Sequence, residues 1–599
     1  MFKKILIANR SEIAVRVIQA CRELGIKTVA VFSEPDRESK HVKMADETWQ
    51  LTGQPARAYL DAAQILDIAK RSGAEAVHPG YGFLSENADF ARECAAMGIK
   101  FIGPSPDVIH KMGSKIESRR VMDQAGVPVV PGTTDPVTTK EEVLALGEKY
   151  GYPIAIKASA GGGGRGLRVV RKAEDVEQAL AGAQREGASY FGSGEVYVEK
   201  YLDRPRHIEV QILADEHGKV LHLYERDCSS QRRHQKLLEE TPAAKLDADL
   251  RKRITEAAVK GATALGYTSA GTVECMVSGN EFYFLEVNTR IQVEHPITEA
   301  TTGIDIVKEQ ILLACGHKLS FKQEEVSQHG HAIECRINAE DPSKNFMPSP
   351  GTLTRFELPH HPWVRVDTAC YPGYQILPFY DSLLAKLVVW GRTREEAIQR
   401  TRTALTHFKI EGVATTIPFH LALLDDPNFQ AGEVYTTYVE QDFMKRYNAA
   451  PRAEAGKSAG SDNGAASVPT STKGSVRNFE VDVNQKVFKV QVTELVEPGQ
   501  EKAAAGAATA TLPKRTLQKP EKREAAAGSG HIQATMHGLF KELQVELGAK
   551  VVKGQRIAIF EAMKMESDIT SDRDGTVKEI KVKAGQTVDS GTLLFVIGD

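Results

Sequence analysis

The sequence predicts an α/β multidomain chain ending in a small all-β domain, and three observations carry that expectation. From Lys4 the chain reads ILIAN, then SEIAVRVIQACREL with apolar residues at helical spacing, then KTVAVFS, which is a β-α-β opening. Near the middle, TVECMV and EFYFLEVN flank Ser278-Gly279-Asn280, a hairpin signal. Beyond residue 537 the chain repeats itself at a constant offset of 37, aligning Gly538 with Gly575, Lys541-Glu542 with Lys578-Glu579, Val551 with Val588 and Ile557 with Leu594. Two copies of a unit of a few strands imply a small barrel or flattened sandwich with pseudo-twofold symmetry.

A chain of 599 residues is too long for one core and suggests about three to five domains. The net charge of -3 argues against an electrostatically driven nucleic-acid binder. No apolar run approaches the roughly 18 to 20 residues of a membrane span, so no membrane partner is expected. MFKKILIANR enters a strand at once, without a signal or transit peptide, and the chain reads as cytoplasmic. Seven scattered cysteines without a CxxC indicate neither a disulfide framework nor a zinc site.

The first β-α turn, Asn9-Arg10-Ser11, lacks the glycines that admit a pyrophosphate, so a dinucleotide site is not expected there. AEAVHP, the loop GYGFLSEN and GIKFIG extend the α/β unit. The segment YPIAIKASAGGGGRGLRVV then places Lys157 on a strand before four glycines, 161 to 164, and a second strand. Backbone amides of such a loop can wrap phosphate, and lysine adds a point charge, whereas flexible linkers seldom sit between two tight strands. There is no Gly-Lys-Ser/Thr and no following helix, so the loop is a hairpin lid rather than a Walker A loop. Further on, VYVEKYLDRPRHIEVQILAD reads as two strands carrying Glu199 and His207, and Gln231 to Lys236 form a basic cluster expected to face an anion.

If the central hairpin turns about Asn280, residues pair where their numbers sum to 560, so Glu274 faces Glu286 and Thr272 faces Asn288. Opposed acids repel, and a hard cation shared with phosphates would reconcile them, although a solvated hairpin with outward charges is an equal reading of this stretch alone. If the strand stays extended, Arg290, Gln292 and Glu294 continue the same face.

ILIANRSEIAVRV, HPGYGFLSEN, KASAGGGGRG, ERDCSSQRRHQK, EVNTRIQVEHPITE and HAIECRINAEDP resemble the signatures of the biotin carboxylase family of the ATP-grasp superfamily, from Lys3 to about residue 446. One departure is Ser11, where many members have glycine. The resemblance implies a Rossmann-like domain over 1–113, an ATP-grasp domain over 114–330 with a lid at about 130–204, and an α+β C-terminal domain over 331–446. It implies ATP contacts from Lys115, Lys157, Gly162, Gly163, Gly164, Glu199, His207, Gln231 and His234. It further implies magnesium or manganese on Glu274, Glu286 and Asn288, bicarbonate on Arg290, a base at Glu294 and an enolate-stabilising cation at Arg336.

Residues 447–474 and 499–529 have linker composition, and between them 475–498 holds a short β-hairpin around Asn484-Gln485 that is read as a docking element. About 30 linker residues reach roughly 100 Å extended, or nearer 30 Å as a coil, enough for the last domain, 530–599, to travel. Between its two copies lies FEAMKMESD; on composition alone Lys564 is a solubilising tip residue. EAMKMES resembles the biotinylation motif of carboxyl carrier domains, which implies covalent biotin on Lys564, although HIQATMHG departs from the Ala-Pro-Met-Pro-Gly often found upstream. Together the resemblances imply the biotin-containing subunit of an acyl-CoA carboxylase, with biotin protein ligase, a separate carboxyltransferase (beta) subunit and a carboxylase-domain homodimer as partners. A pyruvate or urea carboxylase subunit, and a carrier scaffold with an inactive ATP site, are the other readings.

Overall fold

The computed structural model describes residues 1–133, 135–158, 167–191, 195–449, 473–483, 486–495, 530–534, 538–562, 565–588 and 591–598. Gly162, Gly163, Gly164 and Lys564 therefore lie outside the described residues. The N-terminal strands form a five-stranded parallel sheet in the order Glu47–Gln50, Lys27–Phe32, Lys4–Ile7, Ala76–His78, Lys100–Phe101. The helix Ser11–Glu23 buries Ile13, Val17 and Ile18. Asn9 fills the first turn: its Nδ2 donates to the carbonyls of Pro79 at 2.7 Å and Tyr81 at 2.8 Å. A Cβ on Gly80 would meet that Nδ2 at 2.9 Å, so the turn is closed by the HPGYG loop where a dinucleotide fold leaves room for phosphate. Ser11 sits at φ +57°, a backbone conformation that favours glycine.

An eight-stranded antiparallel sheet forms the centre, in the order Glu281–Asn288, Ser269–Ser278, Arg206–Ala214, Val220–Arg232, Gln235–Thr241, His331–Asn338, Leu383–Gly391, Val364–Thr368. It runs without a break across the boundary expected at residue 330. A smaller three-stranded sheet, Leu167–Val170, Ile154–Ala158 and Val196–Lys200, packs with helices Lys140–Tyr150 and Val176–Phe191 around Val143, Ile156 and Val198. This is the strand arrangement expected on either side of the four-glycine loop.

Residues 473–495 form a unit by themselves, a hairpin of Lys473–Val483 and Lys486–Leu495 closing at Val483 opposite Lys486. Residues 530–598 fold as two four-stranded sheets. The 37-residue repeat explains their pairing: Gly538 pairs with Val588 and, in the mirrored copy, Gly575 pairs with Val551. Each strand of one copy thus lies in the opposite sheet from its counterpart and pairs with the other copy. Neither copy can close its sheet alone.

Phe540 and Phe595, both fully buried, pack against each other at the centre of this domain, with centroids 5.9 Å apart. Phe540→Ala should cost about 3–5 kcal/mol. In the full chain, the expected result is faster deuterium uptake over 538–598 with unchanged uptake over 1–449; equal uptake in both regions would remove Phe540 from this role.

Candidate active site

Three acids lie in one row across the sheet. Glu274 on Ser269–Ser278 pairs with Glu286 on one side and with Glu209 on the other. The register sum of 560 holds at Glu274–Glu286 and Thr272–Asn288, but not by the expected turn. The loop is Gly279-Asn280, with Gly279 at φ +58°, and Ser278 pairs with Glu281, a sum of 559. A bulge at Leu285 then inserts one residue between the pairs Cys275–Phe284 and Glu274–Glu286 and shifts the register by one.

Lys236 ties the row together. Its Nζ donates to Glu209 at 2.5 Å, Glu294 at 2.7 Å and Glu274 at 3.0 Å. Oε1 of Glu274 also accepts from Asn288 at 2.8 Å and Gln292 at 2.7 Å, and its Oε2 lies 2.9 Å from Nε2 of His207. Burial would raise Glu274, but Lys236 and His207 hold it well below the ordinary carboxylate range. Burial would likewise raise Glu294, yet Lys236, Arg336 and Arg226 hold it down. Lys236 itself, which burial would lower, is raised by Cys228 and the three carboxylates.

The expectation that Arg290, Gln292 and Glu294 continue an extended strand is corrected. The strand ends at Asn288, and Glu294 takes the N-cap position of helix His295–Thr302, where Pro296 suits the first turn. The residues converge through a turn instead. Arg290 donates to Asn288 at 2.8 Å and to Glu86, from the SEN of the N-terminal loop, at 2.9 Å. Arg336 donates to Glu294 at 3.1 Å and to Glu239 at 2.6 Å.

Glu274, Asn288, Arg290, Glu294, Arg336 and His207 are thereby joined in one network. Lys157 forms a close ion pair with Glu199, which Arg119 also reaches at 3.1 Å. Gln231 is buried opposite Lys236 across a hairpin whose turn, Arg233-His234, has φ of +48° and +63°; His234 is exposed there. Lys115 opens the helix Lys115–Gln124, and its side chain lies outside the described residues. Glu209 and Arg226 belong to the network without a sequence expectation, while Lys236 and Gln292 enter it from the basic cluster and from the face expected to continue past Asn288. Arg226, fully buried, donates to Glu209, Gln211, Thr272, Thr298 and Gln292 at 2.6 to 3.3 Å. A signal was present: His207, Glu209 and Gln211 alternate along an otherwise apolar strand.

The donor set suits a hard cation: Glu274, the exposed Glu286 at the outer end of the row, and the amide oxygen of Asn288 are all oxygen ligands. Two other groupings among the described residues, His207-Glu209-Glu274 and Glu209-Cys228-Glu294, bring ligand atoms within 4.8 Å of one another. Glu209, common to both, is committed to Arg226 and Lys236, and imidazole or thiol suits a softer metal.

Three family models match in succession between residues 1 and 441: the biotin carboxylase N-terminal domain over 1–109, the carbamoyl-phosphate synthase L chain ATP-binding domain over 114–322, and the biotin carboxylase C-terminal domain over 334–441. The chain belongs to the biotin carboxylase family. A fourth model, that of biotin-requiring enzymes, covers 529–597, so this biotin carboxylase carries a biotinyl domain on the same chain. Biotin carboxylase 1 of Bacillus subtilis is 54% identical over 74% of this chain and 98% of its own. The biotin-dependent acyl-coenzyme A carboxylase alpha3 subunit of Mycobacterium leprae is 43% identical over 99% of this chain and 98% of its own. Among solved structures, the biotin carboxylase domain dimer of Hydrogenobacter thermophilus 2-oxoglutarate carboxylase, in complex with MgADP, ADP and bicarbonate, is 50% identical over 74% of this chain and 97% of that one, with a TM-score of 0.67. The fold is thus the expected ATP-grasp biotin carboxylase followed by an all-β domain. Among the described residues no helix is long and apolar enough to cross a membrane.

Proposed function

We propose that this chain is the biotin-containing subunit of an acyl-CoA carboxylase, using ATP and bicarbonate to carboxylate biotin on Lys564 for a separate carboxyltransferase subunit. The observation that carries this reading is the end-to-end match to the acyl-CoA carboxylase alpha3 subunit, which spans carboxylase and carrier regions alike. A biotin protein ligase is the partner that Lys564 requires, and a carboxylase-domain dimer follows the arrangement described for the Hydrogenobacter relative.

Glu274, Glu286 and Asn288 would hold magnesium, which supplies charge neutralisation to the ATP phosphates when bound. Lys157, Lys115 and the loop of Gly162 to Gly164 would cradle those phosphates, and Glu199, His207, Gln231 and His234 complete the proposed ATP contacts. Bicarbonate is assigned to Arg290, which Asn288 and Glu274 link to Lys236. A carboxylate held as low as Glu294 is a poor base; bicarbonate that draws Lys236 toward itself removes the strongest of those constraints and lets Glu294 take the O–H proton. The freed oxygen attacks the γ-phosphorus as its bond to ADP breaks, giving carboxyphosphate. The carboxyl group then passes to N1 of biotin as its bond to phosphate breaks and the departing phosphate takes the N1 proton, with Arg336 facing the enolate charge of the ureido oxygen.

Bicarbonate-dependent ATP cleavage stimulated by free biotin tests the carboxylase half, and its absence would favour a carrier scaffold. Acetyl-CoA, propionyl-CoA and pyruvate, offered to the chain with its co-purified partner, test the acceptor. Turnover of pyruvate alone would favour the second reading, which rests on a 53% match to a pyruvate carboxylase component of Methanothermobacter thermautotrophicus over 74% of this chain. Strand pairing closes at Ala562 opposite Met565. Lys564→Ala should lose the mass of one biotin and all streptavidin reactivity; biotin retained by the variant would sink the assignment.

A further inference from the structure

Behind Arg336 lies a second pair of opposed acids that the reaction scheme does not use. On the antiparallel strands Gln235–Thr241 and His331–Asn338, Glu239 stands directly across from Glu334. Both are fully buried, at 0% exposure. Among the described residues neither oxygen of Glu334 has a hydrogen-bond partner, nor does Oε2 of Glu239. Like charges directly opposite each other in a sheet destabilise it, and two buried carboxylates cannot both ionise cheaply.

The surrounding charges do not resolve the conflict. Arg336, two residues from Glu334 on its own strand, is committed to Oε1 of Glu239 and to Glu294. Lys386, on the neighbouring strand Leu383–Gly391, lies 3.1 Å from Glu12 and donates to the carbonyl of Val293 at 3.0 Å. His295, on the helix packed over this part of the sheet, has its Nδ1 2.8 Å from the carbonyl of Gln292, and burial keeps it neutral by lowering it well below the ordinary range. Among the described residues no cation is left over for Glu334.

We propose that Glu239 and Glu334 hold one proton between them, and that this proton limits the negative charge set against Arg336 where it faces the reaction centre. With it, Arg336 faces two carboxylate charges, that of the Glu239–Glu334 pair and that of Glu294; without it, a third buried charge is added, which further weakens the arginine's field where enolate charge must be met. Glu334 is none of the residues assigned to substrate or metal, so it is a positioning residue acting through Arg336. Burial and the charge of Glu239 raise Glu334 well above the ordinary carboxylate range; burial raises Glu239 to about 7 against the pull of Arg336. A proton on a raised group is present at neutral pH and is lost as pH rises through the folded value. The functional half rests on the role proposed for Arg336; the proton itself does not.

Two measurements on the full chain separate them. Infrared spectra at neutral pH should show a protonated-carboxyl C=O stretch that Glu334→Gln removes; identical spectra would overturn the shared proton. In bicarbonate-dependent ATP cleavage with free biotin, Glu334→Gln should keep its neutral-pH rate, because an amide copies the neutral acid, and its alkaline limb should move up by about one pH unit or more. The same limb in both proteins would overturn the coupling to Arg336. Failure of the Arg336 reading has its own signature: Arg336→Gln would leave the KM for biotin and the rate unchanged. Glu334→Leu, which removes the polar group altogether, should give the same two results and guards against a folding defect peculiar to the amide.

Discussion

Lys236→Met is expected to abolish bicarbonate-dependent ATP cleavage and to cost about 3–5 kcal/mol of stability, the range for removing one partner from a buried charge cluster. Its single ammonium reaches Glu209, Glu274 and Glu294, each buried. Arg226 still supports Glu209 and Arg336 still supports Glu294, so the deficit falls chiefly on Glu274. The pH dependence identifies the cause. In the native protein Glu274 and Glu294 are depressed. Their contribution to stability is therefore full above the unfolded carboxylate value of about 4.3 and is lost as pH falls through the folded values. Without Lys236, Glu274 keeps only His207, Asn288 and Gln292 against its burial, so its hold weakens and protonation relieves part of the cost: the gap between variant and wild type should narrow from pH 7 to pH 5 in urea titrations. A gap that stays constant over that range would mean lost packing and not lost charge.

How much of this could be read from residues alone depends on how far apart in the chain the interacting groups lie. The Glu274–Glu286 pairing needs only a hairpin and was legible, yet its register came out right through two offsetting features, a two-residue Gly279-Asn280 loop and a bulge at Leu285. Strand propensity contains neither. The turn after Asn288 was missed because NTRIQVEH alternates well enough to pass for strand, and the helix that Pro296 starts had to be weighed against it. Lys236 was seen in a basic cluster expected to face an anion, but the anions it meets come from three other segments, at 209, 274 and 294. The sheet order Ser269–Ser278, Arg206–Ala214, Val220–Arg232, Gln235–Thr241 brings the first two to Lys236, and the turn after Asn288 brings Glu294. The C-terminal repeat was legible because both copies are written in the chain; the exchange of strands between them is a property of closure and is not.

Glu294→Gln should lower bicarbonate-dependent ATP cleavage by about 10²–10⁴-fold, the usual worth of a positioned general base, while ATP binding persists. The amide keeps the shape and an oxygen for Lys236, which retains Glu209 and Glu274, so the fold should survive with a modest loss of stability. Two accounts of a slow variant compete: loss of a base, or loss of a negative charge that orders Lys236 and Arg336. The pH profiles separate them. In the free enzyme Glu294 is held low by Lys236, Arg336 and Arg226, which oppose its burial, so the acid limb of kcat/KM for bicarbonate should lie below the ordinary carboxylate range. Once bicarbonate competes for Lys236, that hold weakens, and the acid limb of kcat should lie higher. Loss of the base removes the kcat limb in Glu294→Gln, whereas loss of ordering lowers the rate and leaves the limb in place. Near-normal turnover would take Glu294 out of the reaction and leave it as one of three carboxylates that hold Lys236 in position.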